Sequence, residues 1–381
     1  MGSVRLGIPT LILVIGIAVT WFAMHRWAAL AASGYSAWRK TAERVVLSIV
    51  IVLTVVVTGS SLYNVVALLY FRSHNLPPGK IYVVGGYRMH LDCTGSGSPT
   101  LVLDAGLGND SLVWGGVQPV LSKTTRVCSY DRAGFGWSAA RPGPRDADHI
   151  ASELHELLMQ AQVTGPIVLM GHSIAGLYIR DYASRYPADV VGMVFVDSSM
   201  PLQNRTPIIG MQIPTGRQGR ERTLLIEALY GAGIPRLLGQ CSRAFKGFAP
   251  HASMLLDEDI CDIRVNAIDA ELSSIDQSGM ETVHTGPYGE MPILIFSHDS
   301  DRTLPKAKPR TWMVERESAW NGMQERLKRL SKRSRRIIAL DSSHYIQLDR
   351  PGLIEREVSL FIEQIRDTAP QPTNNKLTVA E

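Results

Sequence analysis

The chain has 381 residues, a formal net charge of +4, 19% charged residues and 45% hydrophobic residues. That composition excludes a disordered chain and leaves room for one large α/β domain with an insertion, or for two smaller domains. The small net charge gives no pointer to nucleic acid, no nucleic-acid motif is present, and no such partner is expected.

The apolar residues gather at the N-terminus. Leu6–Met24 and Val45–Phe71 carry no charge, and each is long enough to cross a bilayer core as a helix. A cleaved signal peptide competes for the first run, with Arg5 before it and Ala29-Leu30-Ala31 after it. Arg26, Arg39, Lys40 and Arg44 lie between the runs, offset by Glu43 alone. The positive-inside rule then makes the connecting segment cytoplasmic and returns the rest of the chain to the outer side. Residue 6 is Leu, so Met-Gly does not continue into a myristoylation pattern.

After this anchor (1–75), Ile81–Val84 and Tyr87–Cys93 read as strands joined by Gly85-Gly86, a hairpin signal. Thr100–Leu103 is a short apolar strand ending in Asp104-Ala105-Gly106-Leu107-Gly108. Arg126–Tyr130 is another, followed by Asp131-Arg132-Ala133-Gly134-Phe135-Gly136-Trp137-Ser138. Ile150, Leu154, Leu157, Leu158 and Ala161 keep helical spacing. Pro166–Met170 leads into Gly171-His172-Ser173-Ile174-Ala175-Gly176 and a helical pattern over Ile174–Tyr186. Val190–Val196, Pro292–Phe296 and Arg336–Leu340 complete the strands. Helices alternating with nearly continuous apolar strands predict a mostly parallel sheet covered on both faces. Ligands of such sheets bind beyond the C-terminal strand ends.

The expected organisation is a catalytic domain of 76–199 and 291–367, a helical cap over 200–290 and a frayed tail over 368–381. The cap shows helical stripes, among them Leu224, Leu225 and Leu229, then Cys261, Val265, Ile268, Leu272 and Ile275. The four cysteines form no C-x-x-C pair, so metal binding is not expected. Cys93–Cys128 and Cys241–Cys261 are candidate disulfides, one of three possible connectivities. Trp320, Met323, Leu327 and Leu330 form a stripe crowded by basic residues. It reads as a solvated helix packed on the sheet, with contact to anionic lipid headgroups as the sharper alternative.

A strand, a tight turn carrying serine and then a helix make a nucleophile elbow, and Gly171 and Ala175 supply the small neighbours it needs. Ser173 is the candidate nucleophile. It needs a base, and His344 follows the last strand; His172 adjoins the serine and is read as shaping the pocket or packing, not as the base. The base needs an acid, and Asp301 is the choice, with Asp299 and Asp197 as the other options. The backbone N–H groups of Ile174 and Leu107 are candidate oxyanion donors.

Together the Gly106-Leu107-Gly108 turn, Tyr130-Asp131-Arg132 through Ser138, the elbow, and Ser343-His344-Tyr345 resemble an α/β-hydrolase-fold serine hydrolase of the esterase type. The resemblance covers about Lys80–Arg366. It implies the triad order Ser, acid, His, with the acid after the Pro292–Phe296 strand. It also implies an acyl-serine intermediate without metal or cofactor, and a structural role for Asp131-Arg132. Ala175 replaces a more usual glycine, and Ala105 stands where a histidine often precedes the oxyanion glycine. The expected function is a membrane-anchored hydrolase of carboxylic esters or lipid-like acyl compounds. Amide hydrolysis, acyl transfer and ligand binding without turnover are the alternatives.

Overall fold

The computed structural model describes residues 7–205, 216–241, 264–304 and 310–368. Its eight strands are β1 Lys80–Val84, β2 Tyr87–Thr94, β3 Thr100–Asp104, β4 Val127–Tyr130, β5 Ile167–His172, β6 Val190–Val196, β7 Ile293–His298 and β8 Ser334–Ala339. They form one sheet in the order β1-β2-β4-β3-β5-β6-β7-β8. The β1–β2 and β2–β4 pairs are antiparallel, and all the others are parallel. The antiparallel edge follows from Gly85 and Gly86, whose φ values of 54° and 84° suit a two-residue hairpin turn.

Among the described residues, the helices longer than four residues are α1 Gly7–Ala29, α2 Ala37–His74, α3 Ala147–Gln160, α4 Ala175–Arg185, α5 Gly216–Gly231, α6 Val265–Ser273, α7 Ile275–Thr282, α8 Thr311–Leu327 and α9 Pro351–Thr368. The central strands are apolar on both sides because both sides are covered. On one face Leu169, Phe195 and Ile295 pack with Leu157 of α3 and Ile179 of α4. On the other, Met170, Val194 and Phe296 pack with Ile354, Val358 and Phe361 of α9.

All eight expected strands are present, with ends shifted by no more than two residues. Between β6 and β7 the described residues form helices and turns, as the stripes predict. Cys93 and Cys128 are directly opposite on β2 and β4 and are joined by a disulfide. Cys241 is disulfide-bonded; its expected partner, Cys261, lies outside the described residues, as does the tail from 369 onward. The two N-terminal apolar runs are helices long and apolar enough to cross a membrane, and little of either is buried.

Within the basic stripe, Met323 and Leu327 are buried against the sheet. Lys328, Lys332, Arg335 and Arg336 form ion pairs with Glu325, Glu290, Glu357 and Glu325 respectively.

Candidate active site

Ser173 stands between β5 and α4 with a φ of 55°, in the left-handed region that a sharp strand-to-helix turn imposes. Its amide donates to Val196 O at 3.1 Å, which ties the turn to the neighbouring strand. A Cβ at Gly171 would lie 2.9 Å from Ala175 O, so residue 171 must be glycine for the turn to close.

His344 lies in the loop after β8. That loop is closed by Ser343, whose amide and hydroxyl both donate to Asp349 Oδ2, at 2.7 and 2.6 Å. From there His344 reaches the serine: Ser173 Oγ is 2.9 Å from Nε2. Its Nδ1 lies 2.6 Å from Asp197 Oδ2. A carboxylate only accepts, so Nδ1 carries the proton and Nε2 is left to receive the serine's.

The acid on His344 is therefore Asp197, and the choice of Asp301 is corrected. Asp197 is the residue after β6, fully buried between the ends of β5 and β7. Asp301 is exposed on the one-turn helix Ser300–Thr303, where its amide is capped by Asp299 Oδ1. Asp299 also accepts from the Asp341 amide at 3.0 Å. The Asp299 carboxylate thus serves loop closure, and the acid lies one strand closer to the serine.

Sequence reasoning missed His298. Its Nδ1 donates to Asp197 Oδ2 at 2.8 Å and its Nε2 to Glu317 Oε2 at 2.7 Å. Two carboxylate acceptors require both ring nitrogens to be protonated. Burial opposes that cation, but the hydrogen bonds to Asp197 and Glu317 raise the imidazole pKa to about 10. Asp197 Oδ1 accepts from Trp320 Nε1 at 3.0 Å and from the His298 amide at 3.2 Å. Burial pushes the Asp197 carboxyl up, yet hydrogen bonds from His298 and His344 hold it well below the usual carboxylate range. The signal was a histidine two residues past the apolar run Pro292–Phe296. Trp320 likewise lines the cleft, although its stripe reads as helix packing or headgroup contact.

His172 is buried, and its Nε2 donates to the His344 carbonyl oxygen at 3.0 Å. Burial, with the nearby His344, depresses its pKa to about 3, so it is neutral. Its expected pocket-shaping place holds, since it lines the cleft and props the loop that carries the base.

Leu107 and Ile174 line the same cleft, a space of about 350 Å³ whose walls also include Ile275, Trp320 and Tyr345. Neither residue's backbone N–H donates to a partner among the described residues. Ile174 stands at the start of α4, where the helix favours negative charge. The Leu107 turn is held by Arg132. This fully buried side chain donates to Ala105 O and Gly106 O at 2.5 and 3.0 Å and to Asp104 at 2.7 Å, and makes a two-pronged pair with Glu271 of α6 at 2.7 and 2.9 Å. Asp131 accepts from the amides of Ser111 and Trp137, both at 2.8 Å. Asp131 and Arg132 are thus framework residues, as expected. Among the described residues no cluster of three or more His, Cys, Asp or Glu is arranged to hold a metal ion.

Comparison with known proteins gives the same fold. The chain is 35% identical to an uncharacterized protein of Schizosaccharomyces pombe over 151 residues, 32% of this chain and 28% of that one. It is 23% identical to the (lyso)-N-acylphosphatidylethanolamine lipase of Bos taurus over 283 residues, 70% of this chain and 79% of that one. The chain spans only 28%, 18% and 39% of the length of three curated relatives, the S. pombe protein among them. The enol-lactonase from Burkholderia xenovorans LB400 superposes with a TM-score of 0.53 at 20% identity, covering 74% of this chain and all of that one. The pattern of the Alpha/beta hydrolase family matches residues 101–357. With Ser173, Asp197 and His344 meeting at the C-terminal strand ends, the chain belongs to the alpha/beta hydrolase family.

Proposed function

We propose that this protein is a membrane-anchored serine hydrolase that cleaves carboxylic esters of lipid-like acyl compounds. The observation that carries the reading is the hydrogen-bonded chain Ser173–His344–Asp197 at a cleft bordered by Leu107 and Ile174, whose amides have no partner among the described residues. Ser173 Oγ attacks the ester carbonyl carbon while His344 Nε2 takes the hydroxyl proton. The negative charge that develops on the carbonyl oxygen is met by the amides of Leu107 and Ile174. Collapse of the tetrahedral species expels the alcohol, which takes its proton from His344, and leaves an acyl-serine. Water, deprotonated by the same imidazole, attacks this ester and releases the carboxylic acid. Asp197 holds the tautomer and stabilises the imidazolium.

The substrate class rests on the apolar walls of the cleft and on the named lipid substrate of the bovine relative. Residues 200–290 act as a cap: Ile268 comes up against Gly108, and Gln203 and Ile275 line the cleft. The anchor comprises α1 and α2, with the basic segment between them on the cytoplasmic side. A disulfide between β2 and β4 fits a catalytic domain in an oxidising compartment outside.

The test is labelling with a fluorophosphonate probe. Labelling that disappears in Ser173→Ala and His344→Ala supports the hydrolase. A folded wild-type chain that takes no label and turns over no acyl ester refutes it.

A further inference from the structure

The cap is joined to the two apolar N-terminal helices. Ser61 Oγ of α2 donates to Gly231 O at 2.7 Å, and Asn64 Nδ2 donates to Tyr230 O at 3.1 Å. Both carbonyls are at the end of α5; that of Tyr230 also accepts from the Gly233 amide at 2.9 Å. Arg236, just beyond, donates from Nε to Asn64 Oδ1 at 2.9 Å. Ser61 and Asn64 are buried here together with Val65 and Leu68, in a helix of which little else is buried. A Cβ at Gly231 would lie 2.8 Å from Ile8 of α1, so the helices meet closely.

The level of this junction can be measured along both helices. Arg26 and Glu43 pair at 2.7 Å and mark the basic end. At 1.5 Å per residue, Ile8 lies about 27 Å from Arg26, and Ser61 about 26 Å from Arg44. A hydrocarbon core is about 30 Å thick. Both helices therefore put the junction at the far border of the core, on the side of the catalytic domain.

The cap surface at that level is apolar. Leu224, Leu225, Ala228 and Leu229 share one face of α5 and are exposed, as are Leu237 and Leu238 beyond it; Leu225 is 61% and Leu238 66% exposed. The opposite face is polar and is spent on α6, through Thr223 to Asp269 and Glu227 to Asn266. On α2, Leu62, Tyr63 and Val66, next to the residues that bond the end of α5, are exposed as well. Aromatic side chains of this kind settle at the headgroup level.

We infer that α5 and the Leu237–Leu238 turn lie in the bilayer interface, their leucines seated in the leaflet on the side of the catalytic domain. The occupant of this face is lipid because hydrogen bonds fix the end of α5 to α2 at the border of the hydrocarbon core. The cap then has two attachments. One is to the membrane through α5; the other is to the cleft through α6, whose Glu271 holds Arg132 and whose Ile268 meets Gly108. An acyl chain enters the cleft from the leaflet with little exposure to water. The inference rests on the membrane-anchor reading above.

The experiment uses the full chain in phosphatidylglycerol–phosphatidylcholine nanodiscs, with nitroxide labels at Leu225→Cys, Leu238→Cys, Leu53→Cys and Met159→Cys, one at a time. Accessibility to oxygen against a water-soluble nickel chelate is read by power saturation. Labels at 225 and 238 are expected to favour oxygen, like 53 in mid-helix and unlike 159 on the catalytic domain. If 53 favours oxygen but 225 and 238 match 159, or are shielded from both reagents by a second copy, the cap inference fails and the anchor stands. If 53 itself matches 159, the anchor reading fails and takes the inference with it. As a functional arm, Leu225→Glu with Leu238→Glu is expected to raise KM for a long-chain ester in vesicles at least several-fold. It leaves kcat/KM for a short soluble ester within about twofold. Equal loss on both substrates overturns the inference.

Discussion

Asp197 and His298 are joined twice: the imidazole Nδ1 donates to Oδ2 at 2.8 Å and the backbone amide to Oδ1 at 3.2 Å. The carboxylate that orients His344 thus carries a second histidine on the same oxygen, and that histidine is a cation held from behind by Glu317. The arrangement keeps Asp197 ionised in a site where burial alone would protonate it.

The reassignment of the acid is directly testable. Asp197→Asn is expected to lower kcat by about 10⁴-fold, because an amide presents the wrong partner to Nδ1. Asp301→Asn is expected to leave kcat within about twofold. Steady-state hydrolysis of a short acyl ester by both variants, with circular dichroism as the folding control, decides between them. The reverse ranking would restore Asp301.

The His298 cation makes stability depend on alkaline pH. Its pKa is about 10 in the folded chain and about 6.5 unfolded, so the folded state binds the proton more tightly. The contribution is fully present below pH 6.5 and drains away as pH rises toward 10. Urea unfolding of the wild type is expected to lose up to about 3 kcal/mol between pH 6.5 and 9 from this group. His298→Gln should be less stable at pH 6.5 and show a flatter profile. An unchanged slope in the variant would show that His298 is not the titrating group.

Arg132 and Glu271 form a buried pair that links the cap to the Gly106–Gly108 turn. Breaking it leaves a charge without its partner, at a cost of about 3–5 kcal/mol. Arg132→Lys is expected to be nearly as damaging as Arg132→Met, since an ammonium cannot serve two carboxylates and two carbonyls in that planar array. Unfolding midpoints and residual kcat check both variants. A wild-type-like Arg132→Lys would mean that charge alone suffices.

The Cys93–Cys128 disulfide closes a 35-residue separation across β2 and β4. Replacing both cysteines with serine is expected to cost about 3–4 kcal/mol through the freer unfolded chain. The triad geometry should be unaffected, because β2 is remote from the serine strand in the sheet order. Lowered stability with kcat retained below the melting range is the expected pair of readings.

The sheet was legible because its strands are short apolar runs that stop at glycine, proline or aspartate, and such runs have few other ways to hide. Ser173 and His344 were legible because the turn and the loop that carry them have local requirements: a small residue at 171, and a strand end before the histidine. The two apolar N-terminal helices were legible from length and lack of charge alone. The acid was not. Asp197, Asp299 and Asp301 each follow a strand and look alike in sequence. Only the strand order, with β6 directly between β5 and β7, puts Asp197 on His344 and leaves Asp299 to cap a loop and Asp301 exposed. The same holds for His298, whose two carboxylate partners are 101 and 19 residues away. It holds too for Ser61 and Asn64, whose contacts with the cap span 170 and 166 residues. Side chains paired over such separations leave no periodic trace in a sequence, because their meeting is set by how the elements pack.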